Sequence, residues 1–258
     1  MCLIVFAWRH HPDYPLIVAG NRDETHVRPA VAAHWWEDCP DLLAGRDLEG
    51  GGTWMGVSRN GRFAALTNYR DMSHIIPGAP TRGLLVRDCL LSGDDTQTTL
   101  ERVAAISPGY SPFNLLVSDG ETLGIHESST GSVRLLEPGV YGLSNHLLDT
   151  PWPKLLRARE HFERAIDMLP DTSASLSLLR DDLPAADEKL PHTGVSIEWE
   201  RALSPVFIRT PDYGTRCSTV LTINRQRRCT LQEWSWNPAG EFTGERHYDF
   251  TFAENTAG

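Results

Sequence analysis

The amino terminus reads CLIVFAW from Cys2 to Trp8, an unbroken apolar run. A run of this kind, rich in β-branched and aromatic residues, predicts a buried strand. Pro12 lies in a short polar segment that indicates a turn, and the apolar residues 16–19 predict a second strand. The tetrapeptide NRDE at 21–24 follows that strand directly. The chain is therefore expected to open with a β-hairpin that carries a cysteine almost at its free end.

The remaining sequence predicts strands and helices in alternating groups. Asn60-Gly61 between two apolar runs is a strong hairpin signal, whereas residues 27–52 and 181–199 predict irregular structure. Further strands are predicted at 53–58, 62–68, 113–118, 122–127, 133–136, 140–144, 205–208, 216–224, 229–237 and 241–252, and helices at 81–91, 98–106, 154–169 and 173–179. This grouped order is typical of α+β folds with antiparallel sheets and outer helices. Because no segment resembles a linker, we expect a single domain over residues 1–258.

Composition excludes several classes of function. The formal net charge of −10 disfavours binding to nucleic acids and to anionic lipid surfaces. No apolar stretch is long enough to span a membrane, and no signal peptide is evident. The five cysteines include no CxxC pair and the histidines have no spaced partners, so no metal site is expected. Widely spaced, reduced thiols favour a cytoplasmic location.

Cys2 is a candidate nucleophile because of its position. Removal of an initiator methionine before a small residue exposes the α-amino group of that residue. An α-amine has a pKa of roughly 8, against about 10.4 for lysine, so it can accept the proton of the thiol on the same residue. The alternative is that Cys2 is simply a small apolar residue that begins a buried strand.

Several segments together resemble the NRDE family, which comprises homologues of the transport and Golgi organisation protein. The resemblance covers nearly the whole chain. The matching segments are Met1–Ile4, Asn21–Glu24, Ala44–Asp47, Gly51–Trp54, Leu66–Arg70, Gly142–Asn145 and Tyr213–Arg216. The family is distantly similar to the cysteine N-terminal-nucleophile hydrolases penicillin V acylase, bile salt hydrolase and acid ceramidase. What the resemblance implies is an αββα sandwich of two antiparallel sheets flanked by helices.

The resemblance also implies roles for individual residues. Cys2 is similar to the nucleophile of those hydrolases, and Asp23 to the aspartate that contacts its amine. Asn68 and Asn145 resemble their two asparagines, and Arg216 resembles their late arginine. Arg22 is a looser match, because in the hydrolases the early arginine stands a few residues before the aspartate.

These residue types suit amide cleavage by a thiol. Asparagine amides can stabilise a developing oxyanion, and a cation such as Arg22 or Arg216 is expected to lower the pKa of the thiol. Each residue also has an ordinary structural explanation: the asparagines in turns, and the charged residues in salt bridges or on a strand surface. The remaining candidates, predicted to bind substrate, are Arg22, Arg46, Trp54 and Tyr69.

Two functions of different classes follow. The first is a hydrolase that cleaves a linear carbon–nitrogen amide bond of a small, acylated molecule, with no cofactor. The second is a protein without catalysis that binds and carries haem or a lipid or acyl-CoA, since the family resemblance points to haem and lipid homeostasis. Cys39-Pro40 would be a candidate haem-thiolate motif in that case. A third reading is a pseudoenzyme with neither activity. In each case the partner is a small molecule, and a homo-oligomer is compatible with the sequence.

Overall fold

The computed structural model of the chain describes residues 2–253, and predictions about Met1 lie outside the described residues. Two antiparallel sheets dominate. The first contains β1 (Cys2–Trp8), β2 (Leu16–Thr25), β10 (Gly139–Leu143), β11 (Tyr213–Ile223), β12 (Arg228–Trp236) and β13 (Phe242–Thr251). The second contains β3 (Ala30–Trp35), β4 (Leu42–Asp47), β5 (Met55–Ser58), β6 (Phe63–Asn68), β7 (Phe113–Ser118), β8 (Leu123–Glu127) and β9 (Ser132–Leu135).

Strand order differs between the two sheets. The first sheet has the order β10-β1-β2-β11-β12-β13, and the second follows the chain from β3 to β9. In the first sheet, β1 and β2 form the predicted hairpin, with Cys2 opposite Arg22. The late strand β11 pairs with the other side of β2. The amino-terminal strand β1 therefore lies between β10 and β2 and forms hydrogen bonds with both.

Residues 2–253 form five α-helices. They are α1 (Gly83–Leu90), α2 (Thr96–Ile106), α3 (Pro153–Ala165), α4 (Ser173–Leu179) and α5 (Ile197–Ala202). Helices α1 and α2 pack on the second sheet through Leu85 and Leu100. Helices α3 and α4 pack on the first sheet through Phe162 and Leu178. The layers therefore run helix, sheet, sheet, helix, which is the predicted αββα sandwich.

The alternation of side chains along β1 explains its uninterrupted apolar sequence. Ile4 and Phe6 face the core between the two sheets, whereas Leu3 and Val5 face the helical layer formed by α3 and α4. Both faces of the strand are covered, so neither face selects polar residues. The strand with the candidate nucleophile is thus fixed on two sides by apolar packing.

Several predicted boundaries differ from the structure. Strand β2 continues to Thr25, so the NRDE tetrapeptide lies within the strand and not after it. Residues 27–52, predicted to be irregular, contain β3 and β4. Conversely, residues 205–208 are not a strand. Helix α2 begins earlier than predicted, because the side chain of Asp95 accepts a hydrogen bond from the backbone N–H of Thr98 and caps it.

No helix among residues 2–253 has the length and apolar character needed to cross a lipid bilayer.

Candidate active site

A cavity of about 680 Å³ lies where the ends of the two sheets meet. Its wall combines residues of β1, β2 and β11 from the first sheet with residues of β4 and β6 from the second, and residues 76–83 close one side. Seven of the nine predicted site residues lie in this wall, namely Cys2, Arg22, Asp23, Arg46, Trp54, Asn68 and Arg216. Asn145 and Tyr69 lie outside it. The fold thus brings together segments that are more than two hundred residues apart in the chain.

Cys2 lies at the start of β1, at the boundary between core and cavity. Its side chain belongs to the apolar cluster between the sheets, yet it also lines the cavity, and the residue is 7% exposed. Arg22 is its direct partner across the β1–β2 ladder. Cross-strand partners project to the same face of a sheet. The thiol therefore has an arginine on its own face of the sheet.

Two opposing effects set the acidity of the Cys2 thiol. Burial raises its pKa from 9.0 to about 11, because a thiolate is poorly solvated at this position. Arg22 acts in the expected direction and lowers the pKa, but burial outweighs it. Arg22 therefore lowers the thiol pKa as predicted, but burial keeps that pKa above its ordinary value.

Asp23 is held by strand β11. Its carboxylate Oδ1 accepts a hydrogen bond of 2.7 Å from the hydroxyl of Thr215, and its backbone carbonyl accepts one of 2.8 Å from the phenol of Tyr213. The residue is buried, and burial raises the pKa of its carboxyl group. The Tyr213–Arg216 segment therefore contributes Thr215 and Tyr213 as supports for Asp23.

The two asparagines have different environments. Asn68 lies at the end of β6 and lines the cavity. Asn145 is fully buried, and its side-chain amide donates a 2.9 Å hydrogen bond to the backbone carbonyl of Asn68. Asn145 thus holds the segment that presents Asn68. Tyr69 is not one of the cavity-lining residues, and its hydroxyl lies 3.0 Å from Nε2 of His146.

The remaining predicted residues form the cationic and aromatic part of the wall. Arg46 makes a two-pronged salt bridge with Asp38 at 2.7 Å and lies over the ring of Trp36. Arg216 donates from Nη1 to the backbone carbonyl oxygens of Thr25 and Arg28 at 2.8 and 3.0 Å. Trp54, only 9% exposed, packs in the same cluster as Cys2.

Sequence reasoning missed several further polar residues of the wall and a buried charged cluster behind it. The wall residues include Arg28, Arg82, Cys217 and Glu233. The buried residues are Arg70, Lys154 and Glu200. Only the spacing of Cys217, directly after the Tyr213–Arg216 segment, gave a signal. Lys154 and Glu200 are charged residues of the kind that helices usually expose to solvent, so nothing in the local sequence marked them as buried.

The buried charged cluster lies close to Cys2 and Asp23. Arg70 and Glu200 form an ion pair at 2.9 Å with side chains 5% and 3% exposed. Lys154 donates from Nζ to the carbonyl of Leu203 at 3.0 Å. Burial lowers the pKa of Lys154 from 10.5 to about 8, while Asp23 and Cys2 act in the opposite direction. The candidate nucleophile is thus flanked by charge on both sides of its sheet.

Comparison with known proteins identifies the family. A family model described as "Transport and Golgi organisation 2" matches residues 1–238. The chain belongs to the Transport and Golgi organisation 2 family. It is 36% identical to the Transport and Golgi organization protein 2 homolog of Bos taurus, covering 91% of this chain and 93% of that protein. The Homo sapiens homolog is 34% identical, over 97% and 99% of the two chains. The family predicted from the sequence motifs is confirmed.

A solved structure shows the same fold as this Transport and Golgi organisation 2 domain. It is the C2A mutant of the conjugated bile acid hydrolase from Clostridium perfringens, which superposes with a TM-score of 0.50 over the full length of both chains. The sequences are 9% identical. The predicted N-terminal-nucleophile hydrolase fold is therefore confirmed, at the level of fold.

Proposed function

We propose that this chain is a cysteine hydrolase that cleaves a linear carbon–nitrogen amide bond of a small molecule, with Cys2 as nucleophile. The observation that carries the proposal is the shared cavity wall of Cys2, Asp23 and Asn68. A thiol, a carboxylate and an amide donor converge there from two different sheets. Packing alone does not require these three polar types around one space, since Cys2 has apolar neighbours on its other sides.

The proposed reaction has two steps. The Cys2 sulfur attacks the carbonyl carbon, the carbon–nitrogen bond breaks, and the amine leaves with the proton that the thiol gave up. Water then attacks the thioester carbon, so that the acid is released and the thiol regains its proton. The α-amine of Cys2, once Met1 has been removed, carries the proton between thiol, leaving group and water.

Neighbouring residues have supporting roles in this proposal. The amide of Asn68 donates to the oxyanion, and Asn145 fixes Asn68 through the 2.9 Å hydrogen bond to its backbone. An oxyanion donor of this kind is worth about 3–4 kcal/mol of transition-state stabilisation. Asp23 orients the α-ammonium group of Cys2, with its own carboxylate fixed by Thr215.

Exposure of the α-amine is essential to this proposal. With a thiol pKa of about 11, the thiolate is scarce at neutral pH. A base on the same residue removes the need for a pre-formed thiolate, because proton transfer accompanies attack. The five cysteines are all free, which is compatible with the proposed cytoplasmic location.

The raised thiol pKa favours a second candidate function. A neutral, poorly reactive Cys2 beside a roomy polar cavity suits a protein that binds and carries a small molecule without cleaving it. Haem is one predicted cargo of such a carrier, and a lipid or acyl-CoA is another. Cys39, the predicted haem ligand, is not among the cavity-lining residues, so haem would have to bind elsewhere or through another residue.

The test compares variants of two cysteines. Purified protein whose mass shows loss of Met1 is incubated with a panel of N-acyl amides, and amine release is measured. We expect Cys2→Ala to abolish hydrolysis, while Cys39→Ala, which removes a half-buried thiol outside the cavity, leaves it unchanged. In single turnover, the wild-type protein should gain the mass of one acyl group. Hydrolysis that survives Cys2→Ala would remove Cys2 from the reaction.

A haem titration separates the carrier from the hydrolase. A Soret band that saturates at one equivalent and disappears with a single cysteine or histidine substitution would support the carrier. Amide hydrolysis dependent on Cys2, without a saturable Soret band, would support the hydrolase.

A further inference from the structure

The cavity wall carries five arginines, and carboxylates pair with only some of them. Arg28 and Arg46 each have a carboxylate oxygen at 2.7 Å, and Arg22 has one at 3.7 Å. The other two are Arg82 and Arg216.

Arg82 and Arg216 bond to backbone carbonyls. Among residues 2–253, neither has a recorded salt bridge to a carboxylate. Arg82 donates from Nη1 to the carbonyl of Pro112 at 3.0 Å. A carbonyl accepts the hydrogen bond without cancelling the charge, so a partly buried guanidinium keeps a strong preference for an anion nearby.

The surroundings of Arg82 differ from those of Arg216. Arg216 donates to two carbonyls of the segment after β2 and so has a structural task. Arg82 stands at the start of α1, at the end of the cavity-lining segment 76–83, and makes one such bond. Arg82 and Cys2 line the same cavity, and burial lowers the pKa of Arg82, although Cys2 and Glu24 both act to raise it. Arg82 is therefore the cation of the wall that has spare donors and shares the cavity with the candidate nucleophile.

We propose that Arg82 binds an oxyanion, a carboxylate or a phosphate, on the molecule that occupies this cavity. A guanidinium offers a planar pair of N–H donors that matches both groups. Combined with the proposed hydrolase function, on which this step rests, the substrate is an amide that bears an acidic group beyond the scissile bond. The overall charge of −10 repels anions from the surface in general, so selective anion binding requires a local site of this kind.

Binding to a protein that cannot turn over tests the proposal. Titration calorimetry on the full-length Cys2→Ala protein compares N-hexanoylglycine, which carries a carboxylate, with the neutral N-hexanoylglycinamide. A third probe, N-hexanoyl-2-aminoethyl phosphate, distinguishes phosphate from carboxylate. Each is measured in the Cys2→Ala background alone and combined with Arg82→Gln, Arg82→Lys or Arg87→Gln. Arg87 is the matched control, since it lies on α1, the helix that directly follows Arg82, lies outside the cavity wall and pairs with Asp88.

We expect at least one anionic probe to bind about tenfold or more tightly than the neutral probe. That preference should disappear with Arg82→Gln, persist in part with Arg82→Lys, and stay unchanged with Arg87→Gln. Equal binding of neutral and anionic probes, an anion preference that survives Arg82→Gln, or no binding of either anion at millimolar concentration would each overturn the proposal. If Arg82→Gln does not fold, the ratio of anionic to neutral affinity in Arg82→Lys decides.

The two proposals can fail separately. An Arg82-dependent anion preference without any hydrolysis by wild-type protein would retain the anion site and refute the hydrolase. Cys2-dependent hydrolysis without an anion preference would do the reverse.

Discussion

At the scale of single residues, the place of Cys2 in the fold has two opposite effects on the reactivity of its thiol. The start of β1 holds the sulfur rigidly, but the apolar cluster that fixes it also raises the thiol pKa to about 11. Rigid placement helps a nucleophile, whereas desolvation of its charged form slows it. An amine on the same residue reconciles the two, because it is fixed by the same strand. Cys2 would therefore gain its reactivity when its own amine is freed.

We predict that the alkylation rate of Cys2 depends on Met1. In chains that keep Met1, pulses of iodoacetamide should modify Cys2 slowly at neutral pH and faster as the pH approaches 11, because the thiolate is the reactive form. In chains without Met1, the new α-ammonium group beside the sulfur should move this rise to lower pH. Peptide mass spectrometry measures both, with Cys39 as the internal comparison. A rate that is already maximal at pH 7 in Met1-containing protein would contradict the prediction.

Lys154 gives a second prediction, which concerns the pH dependence of stability. Its pKa is about 8 in the folded chain, against 10.5 when unperturbed. Between these values the unfolded chain binds more protons than the folded chain, so the free energy of unfolding rises with pH. This gain in unfolding free energy is complete above pH 10.5 and is lost as the pH falls to 8. Its total is about 3 kcal/mol at most.

The variant Lys154→Met isolates this effect. The difference in unfolding free energy between wild type and Lys154→Met, measured by urea denaturation, should move in favour of wild type as the pH rises from 8 to 10.5. Contributions of the other titrating groups largely cancel in the difference. A difference that stays flat over this range would mean that Lys154 is not a buried cation.

Residue by residue, the sequence was informative where a residue type was unusual for its position. A cysteine at the second position marked Cys2 without any structure. Nothing comparable marked Arg82 or Glu233, because their partners come from distant segments: Glu233 accepts a 2.7 Å hydrogen bond from the backbone N–H of Ala33, two hundred residues away. Whether a polar residue faces solvent or a cavity depends on such long-range pairing.

At the scale of secondary-structure elements, the position of the NRDE tetrapeptide within β2 places its side chains on two different faces of the sheet. Alternation puts Arg22 on the cavity face with Cys2 and puts Asn21 on the helical face. There the amide of Asn21 donates to the carbonyls of Leu179 and Val206 at 2.8 and 2.9 Å. One short motif therefore serves two layers: it ties the end of α4 to the sheet and supplies charge to the cavity.

Strands and helices could be predicted where apolar residues follow a regular pattern in the sequence, and were missed where that pattern is absent. The apolar run of β1 and the helical spacing of α3 identified both elements. The segment that contains β3 and β4 did not, since β3 lies at the edge of its sheet with an exposed start and charged neighbours. Edge strands bury little of either face and so lack the alternation that reveals other strands.

Helix α5 provides a prediction at this scale, through the buried Arg70–Glu200 ion pair. Glu200 also accepts hydrogen bonds from the backbone and hydroxyl of Thr193, so it joins the segment after Asn68 to the long segment before α5. Glu200→Gln removes the charge opposite Arg70 and should cost about 3–5 kcal/mol of unfolding free energy. Urea denaturation measures the loss.

The same helix contains the control. Arg201 pairs with Asp187 at 2.7 Å on the surface, and exposed ion pairs contribute little. We expect Asp187→Asn to leave the urea midpoint unchanged. Equal effects of Glu200→Gln and Asp187→Asn would show that the buried pair has no special role in stability.

At the scale of the whole molecule, the sequence predicted the layers from the grouping of strands and helices, and the family resemblance predicted their arrangement. The cavity could not be located from local patterns, because it exists only where the ends of both sheets meet. Its wall takes Cys2 from one sheet and Asn68 from the other. Any activity of this cavity therefore depends on the two sheets being packed together through the core between them.

That dependence gives the last prediction, cooperative unfolding of residues 1–258 as one domain. Three fully buried residues report on different layers: Leu116 between the sheets, Phe162 under the helices of the first sheet, and Leu100 under those of the second. Truncation of each to alanine should cost about 2–5 kcal/mol. In a single domain, each variant should lower the midpoint of one common transition, seen alike by tryptophan fluorescence and far-ultraviolet circular dichroism. If the sheets unfold separately, Phe162→Ala and Leu100→Ala will shift different transitions, and the cavity will lose one wall before the other.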